Sequence, residues 1–179
     1  MNPLKQFNIG FVGLSTGKHT FSFEVEETFF SCFEFSEVRK GELQLELLLD
    51  KQNSMLVLDF LIKGFVLLEC DRCLEAYRQP LDVERRLYVK FGDAFAEQTD
   101  EIVVIPAGES HFDVSQYVYE YIHLSLPMQH IHMDDNDPGK GCNPEVVEKV
   151  NMYLEKKNPA GADAGNSPWQ ALKGLKFND

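Results

Sequence analysis

The 179-residue chain is 44% hydrophobic and contains 14 phenylalanines, which is enough apolar material for one substantial core. Its 17 basic and 29 acidic side chains give a formal net charge of −12, so it lacks the overall positive charge on which binding to a phosphate backbone depends. No apolar run approaches the roughly 18–20 residues that span a bilayer, and the N-terminal residues have no apolar signal-peptide centre. The chain has four cysteines, fewer than a disulfide-rich secreted domain carries, which is typical of a reducing compartment. We therefore expect a cytoplasmic protein with no membrane partner.

Alternation of apolar and polar residues predicts a β-sheet over the first hundred residues. One predicted strand is interrupted by Gly64, where it could bend. The Phe-rich stretch 26–35 predicts a short helix or turn, with Cys32 as a small buried hydrophobic residue. Short connections favour antiparallel neighbours in a sheet that could curl towards a barrel. The predicted strands are residues 19–25, 41–49, 55–70, 81–91 and 101–105.

The hydrophobic period then changes from that of a strand to that of a helix. Asp113 is predicted to cap a helix, with Gln116 at the capping-box position and Pro127 beyond its end. A second helix is predicted over residues 143–156, capped by Asn143. Residues 1–157 are therefore predicted to form a single α+β domain with two helices packed on the sheet. The apolar face of the first helix contains Val114, Tyr117, Val118, Tyr121 and Ile122.

The composition changes again after residue 157. Residues 158–166 are rich in Ala, Gly and Asn and are predicted to be a flexible linker. Residues 167–179 are predicted to form a short C-terminal helix that docks, either on the chain's own domain or on a partner with Trp169 as anchor, because so short a helix is marginal alone. The predicted partner-binding residues are Trp169, Leu172, Lys173, Leu175 and Lys176.

A C-x-x-C motif at the end of a predicted strand carries the clearest chemical signal. Cys70 and Cys73 form half of a structural zinc site or a redox pair. A thioredoxin-type pair is disfavoured because a strand precedes the motif and polar turn residues follow it. Cys142 lies shortly after His130 and His132, and three thiols with either imidazole would complete a tetrahedral zinc shell. The alternatives are that the cysteines only pack or that an ancestral site is no longer filled.

Four segments occur in the order that is found in one known family: 64–74 with the C-x-x-C motif, 119–127, 130–142 and 167–176. In this order they resemble the large ribosomal RNA subunit accumulation proteins, the YceD-like family. The resemblance implies a small cytoplasmic protein needed for accumulation or processing of 23S ribosomal RNA, and it supplies no catalytic residues. Many relatives carry a second cysteine pair after the helix. This chain has only Cys142 there, so the resemblance makes a histidine ligand necessary.

Acidic charge is concentrated in the middle of the chain. Residues 91–139, which we call the acidic segment, contain ten carboxylates and no Lys or Arg. Such a segment repels a phosphate backbone and attracts a basic protein. The simpler interpretation is a solvated surface that keeps the protein soluble.

Together these features predict a non-enzymatic biogenesis factor of the large ribosomal subunit. Its expected partner is a basic large-subunit ribosomal protein or a pre-ribosomal particle. The competing hypothesis is a processing factor that binds ribosomal RNA directly through Arg85, Arg86 and Lys90. No phosphate-cradling glycine loop or nucleophile elbow is present. Carboxylates over residues 134–137 could bind Mg²⁺ in a nuclease but are more typical of a turn.

Overall fold

Three long antiparallel strands, β3, β4 and β5, form the centre of the structure. The computed structural model describes residues 3–132 and 141–157, with side chains described as far as residue 154. The α+β fold class predicted from the sequence is confirmed. In chain order the elements are a 3-10 helix Pro3–Phe7, β1 Asn8–Gly10, β2 Gly17–Val25, α1 Glu27–Phe30, β3 Lys40–Lys51, β4 Met55–Glu69, β5 Ala76–Gly92, β6 Ala96–Thr99, β7 Ile102–Pro106, β8 His111–Asp113, α2 Ser115–Leu124 and α3 Pro144–Lys157.

Six strands form one open sheet in the order β2-β3-β4-β5-β7-β6, and β1 pairs with β8 in a separate two-stranded sheet. The predicted antiparallel meander runs from β2 to β5. Beyond β5 the strands no longer lie in chain order: β7 is next to β5 and parallel to it, and β6 forms the edge. The six strands do not close into a barrel, so β2 and β6 remain sheet edges. Among the described residues, no helix is long and apolar enough to cross a membrane.

One face of the sheet is the core because the strand side chains alternate with a period of two. Cross-strand pairs such as Leu47 with Phe60 are fully buried on this face. Helix α2 covers it, and the ring of Tyr121 packs edge-on against Phe60 with centroids 5.2 Å apart. This packing places α2 beside β5, β6 and β7.

A glycine allows β3 and β4 to approach each other closely. Gly64 has φ +146°, a conformation that side chains disfavour. A Cβ atom there would overlap the carbonyl oxygen of Glu42 and lie 2.9 Å from the Cα of Leu43. The pairing that carries β4 towards the C-x-x-C motif therefore requires glycine at this position.

Several local predictions were wrong or only partly right. Cys32 is exposed, because α1 turns Phe29 and Phe30 into the core and leaves the next turn outside. The predicted cap, Asp113, lies one residue before the N-cap position, Val114, although its carboxylate accepts a hydrogen bond from the Ser115 N–H at 2.8 Å. The predicted capping box does not form, since the Gln116 side chain donates to Glu120 instead.

Among the side chains described as far as Leu154, those of helix α3 are half-buried only near its beginning. Val146 and Val147 are half-buried, whereas the later positions of the predicted apolar stripe, Val150 and Leu154, are exposed. Over the described side chains of this second helix, the predicted packing therefore holds for the first turn and not for the later ones.

Candidate metal centre

A tight turn after β4 presents the two thiols of the C-x-x-C motif. The N–H of Cys70 donates to the carbonyl of Glu75 at 2.9 Å, and the N–H of Leu74 donates back to the carbonyl of Cys70 at 2.8 Å. Leu74 has φ +61°, the left-handed conformation that closes such a turn. Both Cys70 and Cys73 are buried as a result, and their side chains join the core.

His132 and Cys142 complete a group of four metal-ligating side chains. The ligand atoms of Cys70, Cys73, His132 and Cys142 all lie within 4.8 Å of one another. The sulfur of Cys70 is 3.6 Å from that of Cys142. The Nδ1 atom of His132 is 3.4 Å from the sulfur of Cys73 and 3.7 Å from that of Cys142. This buried Cys₃His cluster could hold one metal ion.

The structure separates the two candidate histidines. His132 is 9% exposed, faces the thiols, and has its ring 5.2 Å from that of Tyr77. The Nδ1 of His130 instead lies 3.6 Å from the Glu37 carboxylate. His132 is therefore the histidine that belongs to the cluster, and His130 lies outside it.

Polar residues of the turn hold the later ligand segments in place. The N–H of Asp71 donates to the carbonyl of His130, and the Asp71 carboxylate accepts the N–H of His130. The Glu75 carboxylate accepts a hydrogen bond from the Asn143 side chain at 3.0 Å. The same Asn143 side chain accepts the N–H of Glu145 at 3.1 Å, so it caps α3 as predicted. Sequence reasoning missed the supporting roles of Asp71 and Glu75.

The cluster favours a thiolate at one cysteine. Burial acts to raise the pKa of the Cys70 thiol, but hydrogen bonds from the backbone of Arg72, His132 and Cys73 outweigh it and lower the pKa to about 6. Burial, followed by the hydrogen bond to Cys70, raises the pKa of the Cys142 thiol to about 11. Cys70 is therefore the cysteine that most readily becomes a thiolate, the form that binds a metal, whereas Cys142 retains its proton.

The exposed part of the acidic segment lies around β6, β7 and α2. Its seven described carboxylates are all exposed, and none forms an ion pair within the part of the chain that the structure describes. They are Asp93, Glu97, Asp100, Glu101, Glu109, Asp113 and Glu120.

The three bases of the competing hypothesis do not form one patch. Arg85 pairs in register with buried Phe60, whereas Arg86 and Lys90 point to the opposite face of the sheet. The Arg86 guanidinium donates to both carboxylate oxygens of Asp59. This carboxylate raises the pKa of Arg86 and neutralises its charge locally.

The remaining predicted site residues lie outside the described residues. These are Trp169, Leu172, Lys173, Leu175 and Lys176, together with the predicted linker 158–166 and the predicted short helix.

Comparisons with known proteins identify a family and no individual relative. No curated protein and no solved structure matches the chain. One family model matches residues 58–176, which is more than half of the chain and includes all four residues of the cluster. The chain therefore belongs to the family of the large ribosomal RNA subunit accumulation protein YceD.

Proposed function

We propose that the protein supports biogenesis of the large ribosomal subunit by holding a basic ribosomal protein or a precursor particle, without catalysing a reaction. Membership of the family links the chain to accumulation of large-subunit ribosomal RNA. The observation that carries the holding role is the set of seven exposed carboxylates in the acidic segment, none of them in an ion pair among the described residues.

Unpaired carboxylates on one part of a surface repel one another, and a basic partner relieves that repulsion. Complementary charge also accelerates encounter with such a partner. The same charges oppose contact with a phosphate backbone. The three bases named for the RNA-binding alternative are divided between the two faces of the sheet, so they do not together form one compact basic site.

We also propose that the Cys₃His cluster binds one structural zinc ion. Zinc at usual bond lengths in a tetrahedral site places its ligand atoms about 3.5–3.8 Å apart. Three of the observed separations, 3.4, 3.6 and 3.7 Å, agree with this to within about 0.2 Å, and all four ligand atoms lie within 4.8 Å of one another. Four protein ligands leave no open position, which is typical of a structural rather than a catalytic site. The ion would join the end of β4 to the start of α3.

Recovery of the full-length protein from growing cells tests the holding role. The protein is tagged at its N-terminus, isolated at low salt, and compared with and without nuclease treatment. We expect a basic large-subunit ribosomal protein that remains bound after nuclease and is released by high salt. Association that disappears with the RNA would overturn this proposal in favour of direct RNA binding.

A matched pair of charge variants shows whether the acidic segment is responsible. The test variant carries Asp93→Lys, Glu101→Lys and Glu109→Lys. The control carries Glu24→Lys, Glu42→Lys and Glu46→Lys, the same change in net charge at exposed positions of β2 and β3. We expect capture to fall by about tenfold in the test variant only. Equal losses in both variants would mean that net charge alone governs the association.

A further inference from the structure

A cleft of about 550 Å³ lies between α2 and the β6–β7 end of the sheet. Its apolar floor includes Leu87 and Val103, both buried on β5 and β7. Its exposed rim carries the carboxylates of Glu97, Asp100 and Glu120. The cleft therefore has an apolar floor and a negatively charged rim.

One residue that lines this cleft has a buried hydroxyl with no hydrogen-bond partner among the described residues. Tyr121 lines the cleft and is 6% exposed, and its hydroxyl is the one buried side-chain polar atom without a partner among the described residues. Burying a polar group without a partner is unfavourable, so such groups are rare in folded proteins. A ligand that brings a hydrogen-bond donor or acceptor to the hydroxyl would remove this cost.

Charges from every side of the cleft act on that hydroxyl. Burial, then the carboxylates of Glu120, Glu101 and Asp100, raise the pKa of Tyr121 to about 12, while Arg85 opposes them. The phenol therefore stays protonated and can both donate and accept. The guanidinium of Arg85, held on the carbonyl of Glu84, is the nearby cation and does not balance the carboxylates.

An apolar hollow adjoins the cleft and shares Glu97 and Tyr117 with it. Its lining includes Phe33, Phe112 and Phe95, and Phe95 is 60% exposed. A segment that crosses from one depression to the other would thus meet a negative cleft and then an aromatic hollow. Such a surface suits a basic side chain followed by an apolar one.

We propose that this cleft binds an arginine side chain of a basic partner protein, with an adjacent apolar residue of the partner in the hollow. This inference rests on the proposed function, because it names the contact through which a basic protein is held. A guanidinium offers five N–H donors in a flat fork, which matches a carboxylate such as Asp100 and the free hydroxyl of Tyr121. Its flat face can stack on the ring of Tyr117.

Two synthetic peptides test the proposal on the full-length protein with isotope-labelled tyrosines. One is acetyl-Gly-Arg-Phe-Arg-Gly-amide, and the other carries neutral citrulline in place of both arginines. We expect the arginine peptide to shift the ring NMR signals of Tyr117 and Tyr121, and the citrulline peptide to leave them unchanged. Equal shifts with both peptides, or no shift with either, would overturn the proposal.

Variants separate a contact in the cleft from general attraction. Tyr121→Phe removes only the unpartnered hydroxyl, so we expect an unchanged or higher melting temperature and about 3- to 10-fold weaker peptide binding. Asp100→Asn should weaken binding by a similar factor. Glu46→Gln removes one exposed charge outside both the cleft and the acidic segment, and it should change binding less than about 2-fold. Equal losses from Glu46→Gln and Asp100→Asn would show that the cleft is not the site.

Two further outcomes distinguish this inference from the proposed function. If Tyr121→Phe and Asp100→Asn capture the ribosomal protein from cells as well as the unchanged protein does, the cleft inference fails and the holding role stands. If Lys173→Gln shifts the Tyr121 signal with no peptide present, the chain's own C-terminal segment occupies the cleft. That result would overturn a partner arginine as the occupant.

Discussion

Asp71 and His130 hold each other by two hydrogen bonds, one in each direction. The N–H of Asp71 donates to the carbonyl of His130 at 2.6 Å, and the carboxylate of Asp71 accepts the N–H of His130 at 2.7 Å. Asp71 lies between Cys70 and Cys73 in the chain, and His130 lies two residues before His132. The pair therefore links the turn that carries Cys70 and Cys73 to the segment that carries His132.

Removal of this carboxylate should weaken metal binding while the four ligands stay in place. We expect Asp71→Ala to lower zinc affinity by about 10- to 100-fold, because outer residues orient the ligands. A competition titration against a coloured chelator measures the affinity. Arg72→Ala, the neighbouring change within the same turn, is the control and should bind zinc almost normally. An Asp71→Ala protein with unchanged affinity would show that the ligand positions do not depend on this pair.

Loss of one thiol should remove the metal and destabilise the fold. Purified without chelators, the protein is expected to carry about one zinc per chain, and Cys142→Ser is expected to carry far less and to melt at a lower temperature. Elemental analysis and thermal unfolding provide the two measurements. Cys32→Ser is the matched control, since Cys32 is exposed and lies outside the cluster. An unchanged protein that contains no zinc would contradict the zinc proposal.

Substitution of Gly64 should cost far more than substitution of an unconstrained glycine. Gly64→Ala must adopt φ +146° and place its Cβ against the Glu42 carbonyl oxygen. We expect the free energy of unfolding to fall by about 3 kcal/mol or more. Gly108→Ala, where a Cβ meets no atom within 4 Å, should change it by less than about 0.5 kcal/mol. Urea unfolding of both variants decides between these values, and similar curves would refute the close approach.

Two tyrosines of α2, buried Tyr121 and half-buried Tyr117, should make the fold sensitive to alkali. Burial and the neighbouring Glu120 raise the pKa of Tyr121 from 10.0 to about 12, and burial with Glu97 does the same for Tyr117. Since the folded-state pKa is raised, this stabilisation is fully present below pH 10 and is lost as the pH rises through about 12.

Unfolding free energies measured by urea between pH 9 and 12 test this dependence. The variant Tyr117→Phe/Tyr121→Phe should lose less stability over that interval than the unchanged protein. Tyr153→Phe, at a position that is 73% exposed, serves as the control and should follow the unchanged protein. If the unfolding free energies of all three proteins fall equally with pH, the phenols of Tyr117 and Tyr121 do not cause the loss of stability in alkali.

Local patterns predicted the elements better than their arrangement. The alternating leucines of β3 and the helical period of α2 follow from which face each element buries, so both were readable from the chain. The parallel pairing of β5 with β7 could not be predicted from the sequence, because it depends on the position of the short strand β6, which pairs with the outer side of β7. Cys32 was misplaced for a similar reason: its apolar neighbours are buried by α1, but the helix ends before Cys32.

The Cys₃His cluster shows the same limit. Thiols are rare and their spacing is restrictive, so the amino-acid sequence is enough to group Cys70, Cys73 and Cys142. It does not distinguish His130 from His132, because the choice depends on the contacts of Asp71 and Glu37 with the first of them. The unpartnered hydroxyl of Tyr121 was equally unpredictable, since helical periodicity indicates that a side chain is buried and not whether its polar atom is satisfied.

Asn143 and Cys142 together connect the start of α3 to the turn that follows β4. One side chain joins the first turn of α3 to Glu75, and the residue before it, Cys142, contributes a thiol to the cluster. The described side chains of the helix beyond Val147 are exposed, so among the described residues the contacts that fix its direction come from its first turn. Because these contacts lie at the start of α3, a small change in backbone direction at Cys142 would displace Leu154, near the far end of the helix, by a larger distance.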